Sequence, residues 1–270
     1  MNPIRLPILR ITASLVVLIA VLALGACSQT PEVKKQKSLE RAEQYLKDGK
    51  PNEAIIELRN ALQVDKDYVP ALLALGRAYS AKAWYADAAR ELGRAQTLSS
   101  ESIPVASELG RVLAELGLWK DAEAQADRVL AKEPQSPTGL YVKASALLGQ
   151  RRVDEALGLL DAASRSGVAA TAEIQTARAG ALAQQGKIDE AEKAYRAALT
   201  TNPKDARALS GLGAISLDRG KYQEAANLFS DAKAQRPVDP RIRIGLAAAK
   251  ERLGQVPEAI RQLEEVDLRA

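Results

Sequence analysis

The sequence predicts an all-α protein in which seven helix-turn-helix repeats stack into an α-solenoid. A short pattern, any residue followed by Glu or Asp and then Ala, recurs about every 34 residues from residue 35 onward. Small residues stand at two further fixed positions of each period. Aromatic residues make up only 4% of the 270 residues, a composition that favours closely packed helices over sheets.

The alanine of the recurring pattern sets the register of the repeats. Six gaps separate its seven occurrences, and each gap is 34 residues except one of 35, which places a single inserted residue near Thr171. These alanines are Ala54, Ala88, Ala122, Ala156, Ala191, Ala225 and Ala259. A period of this length corresponds to one supersecondary unit, and such units bury their apolar faces only by stacking on each other.

Each repeat also carries small residues on both sides of this alanine. Twelve positions before it stand Ala42, Gly76, Gly110, Ala144, Ala179, Gly213 and Ala247. Seven positions after it stand Ala61, Ala95, Val129, Ala163, Ala198, Ala232 and Val266. We expect them where the first helix of a repeat (helix A) crosses the second (helix B), and where helix B meets the next helix A. The helix ends between them are marked by Gly49, Gly117, Gly186, Gly220 and Gly254, because a helix commonly ends on a glycine.

This arrangement resembles the tetratricopeptide repeat (TPR), which has small residues at its eighth, twentieth and twenty-seventh positions. Prolines match its thirty-second position in three repeats, at Pro134, Pro203 and Pro237. The resemblance covers residues 35–270, and we assign the TPR domain to residues 38–270. It implies a superhelix with a groove, lined mainly by helix A, that holds peptides or helices of partner proteins.

The composition argues against an enzyme. The chain has no histidine and one cysteine, which excludes Ser-His and Cys-His nucleophile pairs, an internal disulfide and most zinc sites. No phosphate-binding loop or metal-ligand spacing is found, so we predict no catalytic residue, cofactor or metal. The net charge of +4 is spread along the chain, whereas nucleic-acid binding requires a concentrated basic face.

The first 26 residues are predicted to be a secretory signal peptide. Arg5 and Arg10 precede an apolar run at residues 11–24, and small residues follow it, which is the order found in such signals. The alternative is a transmembrane anchor. The uncharged stretch at residues 11–26 is shorter than the ~20 residues that span a bilayer.

The tetrapeptide LGAC at residues 24–27 resembles the lipobox of bacterial lipoproteins, and the only cysteine of the chain is its last residue. The resemblance implies cleavage before Cys27 and acylation of that residue, with palmitate among the acyl chains. Ser28 in place of Asp implies sorting to the periplasmic face of the outer membrane. Residues 27–37 are polar and are predicted to be a tether after the lipidated cysteine.

The TPR resemblance also indicates which helix A residues face the groove. They include Leu73 and Arg77 in the second repeat, Arg111 in the third and Tyr141 in the fourth. Arg77 and Arg111 occupy the same repeat position, so two guanidinium groups beside an aromatic ring are candidates for gripping a carboxylate-bearing segment. The alternative is that these arginines are solvated or paired with Glu43 or Glu115.

Trp84 and Leu118 are a second candidate contact. They share a turn position that is polar in the other repeats, and exposed apolar residues often mark an interface. Burial of Trp84 under a neighbouring side chain is the alternative. Trp119, Tyr85 and Tyr222 stand one position later and are predicted to pack between helices.

The leading hypothesis is a lipid-anchored scaffold that binds envelope proteins for assembly or export of a pilus, an exopolysaccharide or an outer-membrane protein. The segment AIIELRNALQ in the first repeat looks like the opening repeats of TPR lipoproteins associated with exosortase and exopolysaccharide systems. The alternative hypothesis is a subunit that tethers or activates an envelope enzyme, such as a peptidoglycan hydrolase or a protease. A second copy of the chain is a further candidate partner, through the uncapped seventh repeat.

Overall fold

The computed structural model describes residues 30–168 and 171–264, and this part of the chain forms fourteen α-helices and no strand. In chain order the helices are α1 Pro31–Lys47, α2 Pro51–Val64, α3 Val69–Ala81, α4 Tyr85–Leu98, α5 Ile103–Glu115, α6 Trp119–Lys132, α7 Pro137–Gly149, α8 Val153–Arg165, α9 Ala172–Gln184, α10 Ile188–Thr201, α11 Ala206–Asp218, α12 Tyr222–Gln235, α13 Pro240–Arg252 and α14 Val256–Glu264. Odd-numbered helices are helix A of the seven repeats, and even-numbered helices are helix B. The predicted fold class is confirmed.

The small residues lie where the sequence pattern predicts them. The seven alanines that set the register are all buried, at 0 to 6% exposure. Gly76 shows why these positions must be small, because a Cβ atom there would lie 2.4 Å from Cγ of Leu92 on the adjacent helix B. Larger side chains would push the helices of a repeat apart.

Each turn between helix A and helix B contains one residue with a positive φ. The five predicted glycines adopt φ angles between 69° and 78°. In the second and fourth repeats the same position holds Ala83, with a φ of 55°, and Arg151, with a φ of 63°. The turn geometry is therefore a property of the repeat and is kept even where the residue is not glycine.

The chain divides into two compact units, residues 1–71 and 72–270. In the described part of the first unit, α1 packs on α2, and Nζ of Lys35 lies 2.7 Å from a carboxylate oxygen of Asp65. Helix α1 begins at Pro31, so residues 31–37 are helical and the prediction of a tether through residue 37 is wrong for them. Thr30 caps this helix by accepting a hydrogen bond from the backbone N–H of Val33, and a proline is favourable at a helix start.

In the second unit the A helices form one continuous wall. Helix α5 contacts α7, and the same contact is repeated between α7 and α9, α9 and α11, and α11 and α13. Between α5 and α13, each helix B packs on its own helix A and on the next one, as α6 does on α5 and α7. Functional side chains on the A helices are thereby brought into one row.

The signal peptide at residues 1–26 and the lipidation site Cys27 lie outside the described residues. Among the helices that the structure describes, none has both the length and the apolar character needed to cross a bilayer.

Candidate partner-binding groove

A cavity of about 510 Å³ opens on the wall of A helices in the second unit. Residues from α5, α7, α9, α11 and α13 line it, so the third to seventh repeats all contribute. A concave site with apolar walls and a few fixed polar groups is typical of ligand binding.

The apolar part of the cavity is formed by Trp119, Leu148 and the buried Tyr195. Trp119 lies flat against α7 because position 149 is glycine, where a Cβ atom would lie 2.2 Å from the indole ring. Gly180 also lines the cavity. A Cβ atom at that position would lie 3.7 Å from the hydroxyl of Tyr195, at van der Waals distance, so the cavity wall at Gly180 has room for a side chain that the sequence does not place there.

Three arginines converge on one carboxylate at the side of the cavity. Glu115, the last residue of α5, is only 8% exposed and forms ion pairs with Arg207, Arg236 and Arg241. One Nη of Arg236 lies 2.8 Å from Oε1 of Glu115, and one Nη of Arg241 lies 3.2 Å from Oε2. Arg236 also donates a hydrogen bond of 3.2 Å to the hydroxyl oxygen of Tyr85.

These arginines determine the charge state of Glu115. Burial alone would raise the pKa of its carboxyl, because a charge is poorly solvated inside a protein. The positive charges of Arg207, Arg236 and Arg241 outweigh burial and lower the pKa of Glu115 to about 2. Glu115 is therefore ionised at neutral pH, and its negative charge lies among three cations.

Two aspartates near the cluster serve as helix caps. Asp205 accepts hydrogen bonds from the backbone N–H groups of Arg207 and Ala208 at the start of α11. Asp239 accepts from the backbone N–H of Arg241 at the start of α13, and it also pairs with the guanidinium of that residue. Both carboxylates are thus oriented toward helix N-termini, which they stabilise.

A second groove, of about 520 Å³, contains both arginines that the sequence singled out. Nε of Arg77 lies 2.9 Å from a carboxylate oxygen of Glu108. Arg111 forms a two-pronged ion pair with Glu173, with distances of 2.7 and 2.9 Å. The arginines are therefore paired, as the alternative interpretation holds, but with Glu108 and Glu173 rather than with Glu43 or Glu115.

Family comparison identifies the repeats independently. One sequence model described as tetratricopeptide repeat matches residues 107–169 and 176–240, and another with the same description matches residues 216–270. Together they cover more than half of the chain. The chain belongs to the tetratricopeptide-repeat family.

Solved structures show the same TPR fold at low sequence identity. A TPR protein from Parabacteroides merdae is 14% identical, with a TM-score of 0.59 over 86% of this chain and 91% of that one. A thermophilic TPR protein in Thermus thermophilus is 24% identical, with a TM-score of 0.58 over 67% of this chain and 98% of that one. Yeast Tom70 is 18% identical, with a TM-score of 0.59 over 90% of this chain and 52% of that one. No curated protein sequence matches the chain.

TPR proteins generally mediate protein–protein interactions as scaffolds and are typically not catalysts. Among the described residues, no group of three or more acidic or cysteine side chains is placed to hold a metal ion.

Tyr141 lines the cavity but exposes little surface there. The residue is 5% exposed. Two guanidinium groups lie over its ring: Cζ of Arg111 is 5.4 Å from the ring centroid, and Cζ of Arg207 is 5.2 Å from it. The sequence indicated the first cation but not the second. Arg207 lies 66 positions later in the chain and reaches Tyr141 only because the A helices stand side by side.

The other predicted contacts are placed at three different sites. Leu73 is partly exposed on α3. Trp84 and Leu118 are each 46% exposed, at the residue before α4 and the residue before α6. Nζ of Lys82 lies 4.6 Å above the Trp84 ring, so one face of this aromatic residue is covered by a cation and neither residue is buried. Trp119 is half-buried beside Gly149, as expected for a residue packed between helices.

The sequence interpretation missed the arginines of the sixth and seventh repeats. Arg207 and Arg241 share the second position of helix A, just as Arg77 and Arg111 share the ninth. Arg207 and Arg241 could therefore have been found by the comparison of equivalent repeat positions that singled out Arg77 and Arg111. Arg151 was missed for another reason, because it stands in a turn where glycine is typical.

Proposed function

We propose that this chain is a lipid-anchored TPR scaffold on the periplasmic face of the bacterial outer membrane. Its row of A helices holds a segment of a partner protein that takes part in the assembly or export of a pilus, an exopolysaccharide or an outer-membrane protein. TPR domains bind proteins, and here the domain would do so in the cell envelope, through its row of A helices.

One observation carries the binding part of this proposal. The cavity of about 510 Å³ combines apolar side chains with fixed charges from five successive repeats. An extended or helical segment lying along the row of A helices would contact several repeats at once. Apolar anchors in such a pocket contribute most of the affinity, and the polar groups set orientation and specificity.

The anchor is supported by the sequence alone. The only cysteine follows a short apolar run directly, and polar residues come after it. Each acyl methylene buried in a bilayer contributes ~0.8 kcal/mol, so several acyl chains hold a protein at the membrane stably. The scaffold would then act near the membrane surface, where envelope assembly takes place.

In-cell crosslinking tests the binding surface. A photo-crosslinking amino acid at Ser145, which lines the cavity, should give a specific adduct with an envelope protein in the native host. The same amino acid at Ala197, exposed on α10 and outside the cavity, is the control and should not give that adduct. Equal adducts from both positions, or none from Ser145, would reject the assignment. The identity of the adduct separates a scaffold from a subunit that tethers an enzyme.

Intact-mass analysis tests the anchor. Protein extracted from membranes should lack residues 1–26 and carry added acyl mass on Cys27. The variant Cys27→Ser should leave the membrane fraction. An unmodified full-length product in the soluble fraction of the native host would contradict the proposal.

A further inference from the structure

We infer that the cavity recognises an acidic segment of a partner protein, in which carboxylates flank an aromatic or branched aliphatic side chain, and that Glu115 competes with this segment for the same arginines. The inference rests on the proposed function and specifies the chemistry of the partner.

The charge of the cavity favours an anionic ligand. Its charged lining consists of Arg151, Arg207 and Arg241 against the single acid Glu115. The two nearby aspartates, Asp205 and Asp239, are already held at helix N-termini. Each guanidinium has five N–H donors, so one carboxylate cannot satisfy the arginines around it. Donors therefore remain for the carboxylates of a bound segment.

Arg151 is the most available of these cations. It is exposed, and among residues 30–168 and 171–264 no ion pair forms with it. It also adopts a φ of 63°, at the turn position where five other repeats have glycine. A non-glycine residue in this left-handed conformation is strained, and strained residues are often found at functional sites. The fourth repeat thus keeps a guanidinium at the cavity where a glycine would be more stable.

The apolar lining determines what the ligand carries between its carboxylates. Trp119 and Leu148 lie in the cavity, and the indole ring of Trp119 fills the space in front of Gly149. Gly180 also lines the cavity and places no side chain into the space beside Leu148. That space fits a Phe, Leu or Ile side chain, which is the kind of anchor that stabilises a protein interface. An acidic polysaccharide would satisfy the arginines but has no side chain to fill this space.

Glu115 occupies the position of a ligand carboxylate. Its two oxygens accept from three arginines within the same chain, so an incoming carboxylate has to share or displace these contacts. While the Glu115 carboxylate occupies the arginine N–H donors, a ligand carboxylate cannot bind them. The apparent affinity of the ligand is reduced accordingly, because only the fraction of molecules with free donors is competent to bind. Removal of its charge should therefore tighten the binding of an acidic segment.

Fluorescence anisotropy with the full-length chain in detergent tests the inference. The probes are the fluorescein-labelled peptide EFDELFED and its amide counterpart QFNQLFQN. We expect the acidic probe to bind at least about tenfold more tightly than the amide probe, which corresponds to one well-placed charged contact. A hexamer of uronic acid should compete poorly with the acidic probe.

Three variants localise the binding. Gly180→Leu should fill the cavity and abolish binding of both probes. Arg151→Gly should weaken the acidic probe about two- to fivefold, the loss expected for an exposed charge, and leave the amide probe unchanged. Its matched control is Ala83→Gly, at the same turn position of the second repeat and outside the cavity, which should leave both affinities unchanged. Glu115→Gln, where it folds, should tighten the acidic probe.

Several results would overturn the inference. Equal affinity for the two probes would show that binding does not require carboxylates on the ligand. Undiminished binding by folded Gly180→Leu places the site elsewhere, and effective competition by the uronic acid hexamer assigns the cavity to polysaccharide. If Ser145 captures an envelope protein in cells but the captured segment is not acidic, this inference fails and the proposed function stands. If Ser145 captures nothing, the proposed function itself fails.

Discussion

The carboxylate of Glu115 is ion-paired with the guanidinium of Arg207, which lies 92 positions later in the chain. Glu115 ends helix A of the third repeat, and Arg207 is in the first turn of helix A of the sixth. Most TPR contacts join neighbouring repeats, whereas this pair joins two repeats that are not adjacent. Glu115 therefore links the third repeat directly to the sixth and seventh.

Glu115→Gln is expected to destabilise the fold in a pH-dependent manner. The pKa of Glu115 is lowered from 4.5 to about 2 in the folded chain, so its stabilising effect is fully present above pH 4.5 and is lost as the pH falls towards 2. Removing one partner of a buried ion pair costs about 3–5 kcal/mol. Urea unfolding at pH 7 should show a loss of this size, and the difference from wild type should shrink at pH 3.

The matched control for this experiment is Glu108→Gln. Glu108 forms an ion pair with Arg77, whose side chain is 47% exposed. Exposed pairs contribute at most about 1 kcal/mol, so this variant should unfold near the wild-type urea concentration. A stability difference between wild type and Glu115→Gln that stayed constant from pH 7 to pH 3 would contradict the charge state assigned to Glu115.

Arg151→Gly is expected to raise stability by about 0.5–1 kcal/mol. The left-handed conformation costs a non-glycine residue about 1–2 kcal/mol, and the greater freedom of glycine in the unfolded chain offsets about 0.5–1 kcal/mol of that gain. Gly117→Ala is the reverse experiment at the same turn position, where φ is 72° and no neighbouring atom lies closer than 3.7 Å to the added Cβ. It should lower the denaturation midpoint. A midpoint that falls in Arg151→Gly would show that the guanidinium makes a stabilising contact.

The turns show what the sequence could and could not predict. Of the seven left-handed residues in the turns between helix A and helix B, five are recognisable because they are glycine. Ala83 and Arg151 are not, since their conformation is imposed by the packing of two helices rather than by residue type. The small residues predict the repeats because each acts on its immediate neighbours in the array. The ion pair between Glu115 and Arg207 depends on how successive repeats are rotated, and no local pattern encodes that rotation.

The start of α1 illustrates a second limit. Residues 31–37 have no apolar periodicity, which predicts a tether, yet they are helical. Their helix is stabilised by the cap at Thr30 and by Lys35, which pairs with Asp65 and lies 4.6 Å from the Tyr68 ring. A helix held by polar contacts gives no hydrophobic period to detect.

Ala156→Leu is expected to lower stability by about 1–3 kcal/mol. Ala156 is completely buried on α8, at the position that is small in every repeat, and a larger side chain there overpacks the crossing of two helices. Ala197→Leu, on the exposed surface of α10, introduces the same side chain and should change stability little. The measurement is the urea midpoint followed by circular dichroism. Equal midpoints for the two variants would mean that the repeat register is wrong in the fourth repeat.

The last prediction separates the two arginines of the second groove. Arg77 has a 47% exposed side chain and an ion pair with Glu108, so Arg77→Ala should change the melting temperature little, because exposed pairs contribute at most about 1 kcal/mol. Arg111 is 29% exposed and binds Glu173 through two hydrogen bonds. Arg111→Ala should therefore lower stability by about 1–3 kcal/mol, as expected for loss of a charged hydrogen bond.

Both variants should reduce binding of the protein captured at Ser145, once that protein is purified, if its segment extends into this groove. Arg77→Ala is the decisive case, because it tests the groove without disturbing the fold. The groove is not part of the binding surface if Arg77→Ala binds with wild-type affinity and if Arg111→Ala loses affinity only to the extent that it loses stability. The cavity beside Glu115 would then be the site.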